Sequence, residues 1–164
     1  MARPLIIRAP LAGVVQGLAA VGDRVFATEM VGPGCAILPE LGEPGEPGEP
    51  RQSGESLALS PLRGVLATVH PHAFVVRSGA RSVLVHLGID TVGLRGEGFT
   101  TLLEAGAEVE VGAPVARWDL AAVVRAGLSV LCPVVAVQAV PGAVRCLVRP
   151  GDRVAAGDPL FAWD

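Results

Sequence analysis

Glycine and proline interrupt the apolar segments of this chain from end to end. Hydrophobic residues make up 51% of its 164 residues, yet 21 glycines and 14 prolines are spread among them. A segment cut every few residues by glycine or proline is a poor helix, because one leaves the backbone too free and the other removes a donor. Short strands joined by sharp turns suit such a chain. A recurring half-motif points the same way: GDRVFA (22–27), GAEVEVGAPV (106–115) and GDRVAAGDPLFAW (151–163) each place a β-branched residue three positions after a glycine. The last two add a second glycine turn before an apolar strand, as a β-sandwich with closed edges requires. Helix is expected only in short pieces. Asp119 is placed to cap Leu120–Ala126, Gly127 to end it, and Phe99–Glu104 is expected to form a helical turn.

The segment from His72 to His86 reads as one β-hairpin. Val75, Val76, Val83 and Val85 are strand formers, and Arg77-Ser78-Gly79-Ala80-Arg81 holds the polar residues and the glycine of a reversal. Folding about Gly79 sets His72 opposite His86, Phe74 opposite Leu84 and Val76 opposite Ser82. Directly opposed residues share a face, with Cβ atoms roughly 5 Å apart. Two imidazoles at that range can share a metal ion, or one can take a group while the other steadies it. They can also be two half-buried strand histidines, and a one-residue slip would put them on opposite faces.

Charge and composition exclude several classes. Five of the sixteen acids and one of the thirteen arginines fall within residues 40–55, so the rest, eleven acids against twelve arginines, is nearly neutral. No basic stripe and few aromatic residues leave nucleic-acid binding without support. The chain has no lysine, which rules out lipoylation, biotinylation, Schiff-base chemistry and a Walker A lysine. Cys35, Cys132 and Cys146 match no metal or disulfide spacing and are expected to be small buried hydrophobes. No run reaches the roughly 18 apolar residues of a membrane span. MARPLIIRAPLAG lacks the long apolar core of a secretory signal, so a cytoplasmic protein of one domain is expected. Residues 42–56, with Gly-Glu-Pro repeated three times, are expected to form a mobile, solvated loop.

VHLGIDTVGLRGEGF (85–99) resembles the active-site strand and following loop of glucose-type enzyme IIA, the phosphocarrier of the bacterial sugar phosphotransferase system. PLAGVV (10–15), GDRVFATEMVGPGCAILP (22–39), SPLRGVL (60–66), HAF (72–74), GAEVEVGAPV (106–115), WDL (118–120) and CPVV (132–135) occur in that family's order. Together they cover nearly the whole chain. The resemblance implies an all-β fold, an antiparallel barrel-sandwich hybrid with a duplicated hybrid motif and short helical turns. It implies that His86 accepts a phosphoryl group from the histidine-containing phosphocarrier protein and passes it to the IIB domain of a glucose-type sugar permease. His72 matches the second histidine, needed for passing the group on, and Asp90 is expected to steady the site or meet an arginine of the donor. Phe26, Met30, Val31, Leu84 and Val92 match the family's apolar ring, with Asp23 on its rim. No cofactor is required, and any zinc on His72 and His86 should be weak, since two imidazoles supply half a tetrahedral shell.

Three departures stand out. His70 and Pro71 replace the family's more usual threonine and polar residue, Gly93 replaces a residue often acidic or polar, and the hairpin is about one residue shorter than in some relatives. They leave room for a module of the same fold that binds regulatory targets without transferring phosphate. His70-Pro71-His72 and His86…Asp90 also form the HxH and HxxxD patterns of lysostaphin-type zinc endopeptidases, though in reversed order.

Overall fold

The computed structural model describes residues 3–40, 55–140 and 142–164. Fourteen strands are present among them: β1 (Leu5–Arg8), β2 (Gly13–Gln16), β3 (Gly34–Pro39), β4 (Glu55–Leu59), β5 (Gly64–His70), β6 (Ala73–Ser78), β7 (Arg81–His86), β8 (Phe99–Thr101), β9 (Glu108–Val109), β10 (Pro114–Asp119), β11 (Cys132–Ala136), β12 (Val144–Cys146), β13 (Arg153–Val154) and β14 (Pro159–Trp163). Eight form one antiparallel sheet in the order β13-β2-β3-β11-β7-β6-β5-β9. Two three-stranded sheets, β1-β14-β12 and β4-β10-β8, pack with it as a sandwich. Among the described residues helix is limited to α1 (Arg24–Ala27), α2 (Leu120–Arg125) and two 3-10 turns, Leu18–Ala20 and Thr91–Leu94.

The order of the large sheet is the same in kind from either end. A two-residue edge strand, β13 or β9, lies against a strand that follows Pro-Leu-x-Gly, β2 or β5. The loops confirm the correspondence: Gly151 N–H donates to the Val15 carbonyl, and Gly106 N–H donates to the Leu66 carbonyl. Two copies of the half-motif therefore do the same work, each running from edge strand to core strand. The third copy does not. In GDRVFA the Asp23 carboxylate accepts from the Val25 N–H and starts α1 instead of a strand.

Other local expectations divide. The Asp119 carboxylate accepts from the Ala122 N–H and starts α2. At the far end Leu128 N–H reaches the Val123 carbonyl and Gly127 N–H the Val124 carbonyl, a Schellman closure. Phe99–Thr101 is strand and not helix, because Phe99 pairs with Trp118 across the ladder and stacks on its ring at 5.8 Å. Glu55 and Ser56, expected in the acidic loop, begin β4 and pair with Asp119 and Trp118; the Gly-Glu-Pro repeats themselves lie outside the described residues. Cys35 and Cys132 are buried, but Cys146 is exposed.

The hairpin is real and its register is one residue from the expected one. Ser78 pairs with Arg81, so Phe74 opposes Val85, Val76 opposes Val83, and His86 opposes Ala73. The reversal has two residues, Gly79 and Ala80, and only Gly79 has a positive φ, +61°. Glycine in that first position is what a II′ hairpin turn needs. A reversal centred on Gly79 alone gives the register one residue away.

The sandwich core is built on Trp118, Phe74, Phe161, Ile7, Ile37 and the inward valines of β6, β7 and β11, all sealed from solvent. Alanine substitution at two glycines separates two costs. A Cβ on Gly34 would lie 2.1 Å from the Val134 carbonyl oxygen, inside the β3–β11 ladder, so Gly34→Ala is expected to abolish stable folding. Gly79 has open space around it, and Gly79→Ala should cost only the left-handed backbone penalty, about 1–2 kcal/mol. Urea unfolding of both variants checks this, and equal losses would contradict it.

Candidate functional site

Two turns of chain bring the histidines together. His86 is the last residue of β7, and it shares the outer face with Leu84 while Val83 and Val85 point into the core. His72 is not its ladder partner. It is the second residue of the tight β5–β6 turn, between the paired His70 and Ala73, and its carbonyl accepts from the Leu87 N–H at 2.7 Å. Leaving the pleat at that turn frees its side chain from strand alternation. The rings meet edge to face with centroids 5.3 Å apart, so the two histidines are neighbours by a different route from direct opposition. His70 stacks on the other side of His72 at 5.7 Å and 24°.

A second apolar cluster, separate from the sandwich core, borders the pair. Leu18, Val21, Phe26, Ala36, Ile89, Leu131 and Val135 form it, with Val31 and Leu84 packed against it. Phe26 touches His86 edge to face at 5.3 Å. Three of the five expected ring residues, Phe26, Val31 and Leu84, belong to this cluster. Met30 and Val92 project into solvent, 70% and 61% exposed. Leu18, Ile89, Leu131 and Val135 were not singled out from sequence; Ile89 lies inside the HLGID motif and Val135 inside CPVV, so both carried a signal.

Gly88 was also missed, and it decides the chemistry of His86. Its carbonyl lies 2.5 Å from His86 Nδ1. A carbonyl can only accept, so Nδ1 carries the proton and Nε2 holds a free lone pair. Gly88 has φ +79°, and a Cβ there would lie 2.6 Å from Thr91 Cγ2 and 2.7 Å from the Ser129 carbonyl oxygen. No other residue type fits. Among the described residues no three His, Cys, Asp or Glu side chains converge to hold a metal ion, so His72 and His86 offer two ligands and the three-ligand endopeptidase pattern is not assembled.

Residues 5–141 match the sequence model of the family described as phosphoenolpyruvate-dependent sugar phosphotransferase system, EIIA 1. The chain belongs to this family. It is 35% identical over 133 residues to the PTS system beta-glucoside-specific EIIBCA component of Bacillus subtilis (strain 168), covering 79% of this chain and 20% of that protein. The chain thus spans about a fifth of that relative's length. Among solved structures, the glucose permease IIA from Mycoplasma capricolum superposes with a TM-score of 0.82 at 28% identity, covering 98% of this chain and 96% of the other. As an EIIA domain the chain is a component of the phosphoenolpyruvate-dependent sugar phosphotransferase system, and its β-sandwich fold is that of its structural relative. Among the described residues no helix is long and apolar enough to cross a membrane.

Burial in the EIIA site favours the neutral forms of His86 and His72. Burial lowers the His86 pKa, against the opposing pull of the Gly88 carbonyl and of the Asp23 and Asp90 carboxylates. Burial also lowers the His72 pKa, helped by repulsion from His86 and His70. Asp23 spends one oxygen on the α1 cap, and Asp90 takes a left-handed φ of +60° at the start of the Thr91–Leu94 turn, so both act on His86 through charge.

An imidazole with a lowered pKa binds fewer protons in the folded state than in the unfolded one in mildly acid solution. Stability then rises with pH through the window below about 6.5 and is level above it. Proton NMR should find both rings titrating below 6.5. Urea unfolding between pH 7 and 5 should show stability falling on the acid side, with a shallower fall in His86→Gln. A His86 midpoint at or above 6.5 would contradict this.

Proposed function

We propose that His86 Nε2 is the phosphoryl acceptor, and that the group comes from the phosphohistidine of a histidine-containing phosphocarrier protein and leaves to the IIB domain of a sugar permease. The observation that carries this reading is the Gly88 carbonyl on Nδ1, which leaves the Nε2 lone pair free for attack. That lone pair bonds phosphorus, the donor's P–N bond breaks, and its electron pair returns to the donor nitrogen. No proton needs to move at His86, because Nδ1 is already protonated and its charge is spread towards the carbonyl. His72, 5.3 Å away centroid to centroid, donates an N–H to the phosphoryl oxygens.

The apolar cluster around Phe26 keeps water from the phosphoramidate while a partner is docked. Exposed Met30 and Val92, together with the carboxylates of Asp23 and Asp90 that act on His86, suit a donor that presents apolar side chains and arginines. The setting is cytoplasmic, where phosphoenolpyruvate is made. No cofactor takes part. Any zinc on His72 and His86 draws its remaining ligands from elsewhere and competes with phosphate for Nε2.

Labelling with phosphoenolpyruvate, the general phosphotransfer enzyme and the histidine phosphocarrier tests the assignment. Wild type should take one acid-labile, base-stable phosphoryl group. His86→Ala should take none and stay folded. His72→Gln keeps one N–H but cannot exchange a proton, so it should be labelled within a few-fold of wild type and pass the group to a IIB domain at least tenfold more slowly. Label on His86→Ala would refute the assignment.

A further inference from the structure

Gly88 sits between two peptide planes, and the polar groups of both are engaged. In the plane shared with Ile89, the carbonyl accepts from His86 Nδ1 and the Ile89 N–H donates to the Ser129 carbonyl at 3.0 Å. In the plane shared with Leu87, the Leu87 carbonyl accepts from Thr91 Oγ1 at 2.7 Å, and the Gly88 N–H faces the sulfur of buried Cys132. The Ser129 partner is main chain. The Thr91 hydroxyl is a side chain that sequence could have supplied differently.

Thr91 is fully buried at 0% exposure, and among the described polar and charged residues only Ser60, at 1%, is buried with it. Burying a hydroxyl has a dehydration cost that valine, of nearly the same shape, avoids. The hydroxyl does recover a hydrogen bond, and the carbonyl it serves would otherwise be buried without a donor. Its methyl group is the atom nearest the missing Gly88 Cβ. One side chain thus bonds the peptide before Gly88 and packs against Gly88 itself. The bond from Thr91 back to Leu87 also spans Asp90, whose left-handed backbone it closes.

We propose that Thr91 is a positioning residue of the phosphoryl-acceptor site: it locks the Leu87–Gly88 unit so that the Gly88 carbonyl stays on His86 Nδ1 and the lone pair stays on Nε2. Without the hydroxyl, the Leu87 carbonyl turns in search of a donor and carries Gly88 with it. Nothing then obliges Nδ1 to keep the proton. The protonated Nε2 tautomer has no lone pair there and cannot attack phosphorus. The effect on transfer rests on the carrier reading above, whereas the effect on the tautomer rests on geometry alone.

Nitrogen-15 NMR of the His86 ring in the unphosphorylated protein reads the tautomer directly, and labelling from phosphoenolpyruvate through the two general proteins reads the transfer. Wild type should show the Nδ1–H form. Thr91→Val should show a mixture with a substantial Nε2–H population and accept the phosphoryl group at least tenfold more slowly, while Thr91→Ser restores both. If Thr91→Val does not fold, Thr91→Ala is read in the same way. A pure Nδ1–H ring in the variant, or a Thr91→Ser that behaves like Thr91→Val, would overturn the proposal. If wild type takes no label, the carrier reading fails, and the tautomer populations still decide the role of Thr91.

Discussion

Strand β11 runs through the middle of the large sheet with all five residues buried, and on each flank one glycine lets the neighbouring chain close in where a side chain would clash. On one flank Gly34 brings β3 so close that a Cβ would meet the Val134 carbonyl oxygen. On the other, Gly88 lets the loop after β7 close on the Ser129 carbonyl, just ahead of the same strand. The two approaches hold the sheet together and fix the peptide that faces His86. A backbone contact of this kind has no soft side chain to absorb error, so the imidazole inherits the rigidity of the sheet.

The corresponding halves of the sheet are used unequally. Between β5 and β6 the chain turns in two residues, and the second of them is His72. Between the corresponding strands β2 and β3 it takes residues 17–33, which include α1 and bring Phe26 onto His86. A tight turn supplies the polar partner and a long excursion supplies the apolar cover. Under the proposed carrier reading, an acceptor has to meet two partners in turn while its phosphoramidate is kept from water, and a histidine at a strand end, beside an apolar cluster distinct from the core, suits both needs.

Much of this was legible in the residues. The spacing of glycine and proline set the fold class, and the two half-motif copies at 106–115 and 151–163 occupy corresponding places because turn chemistry is local. GDRVFA shows the limit of that argument, since the same letters cap a helix where an aspartate oxygen finds a backbone N–H before a strand partner is at hand. Phe99–Thr101 shows the opposite case, in which a distant tryptophan imposes strand on a segment that reads locally as a helical turn.

At the site, sequence by itself determined which groups are available: two histidines separated by a hairpin that turns at a glycine, an aspartate four residues on, and no lysine to do other chemistry. It also carried the family, whose motifs stand in order along the chain and whose sequence model matches residues 5–141. Tertiary structure alone decided how the histidines meet, because one residue of register moves every side chain of a strand to the other face, and His72 escapes that rule only by lying in a turn. It alone decided which nitrogen of His86 is free. That choice depends on the direction of the Gly88 carbonyl, set by contacts with Ser129 and Thr91 that no spacing of letters records.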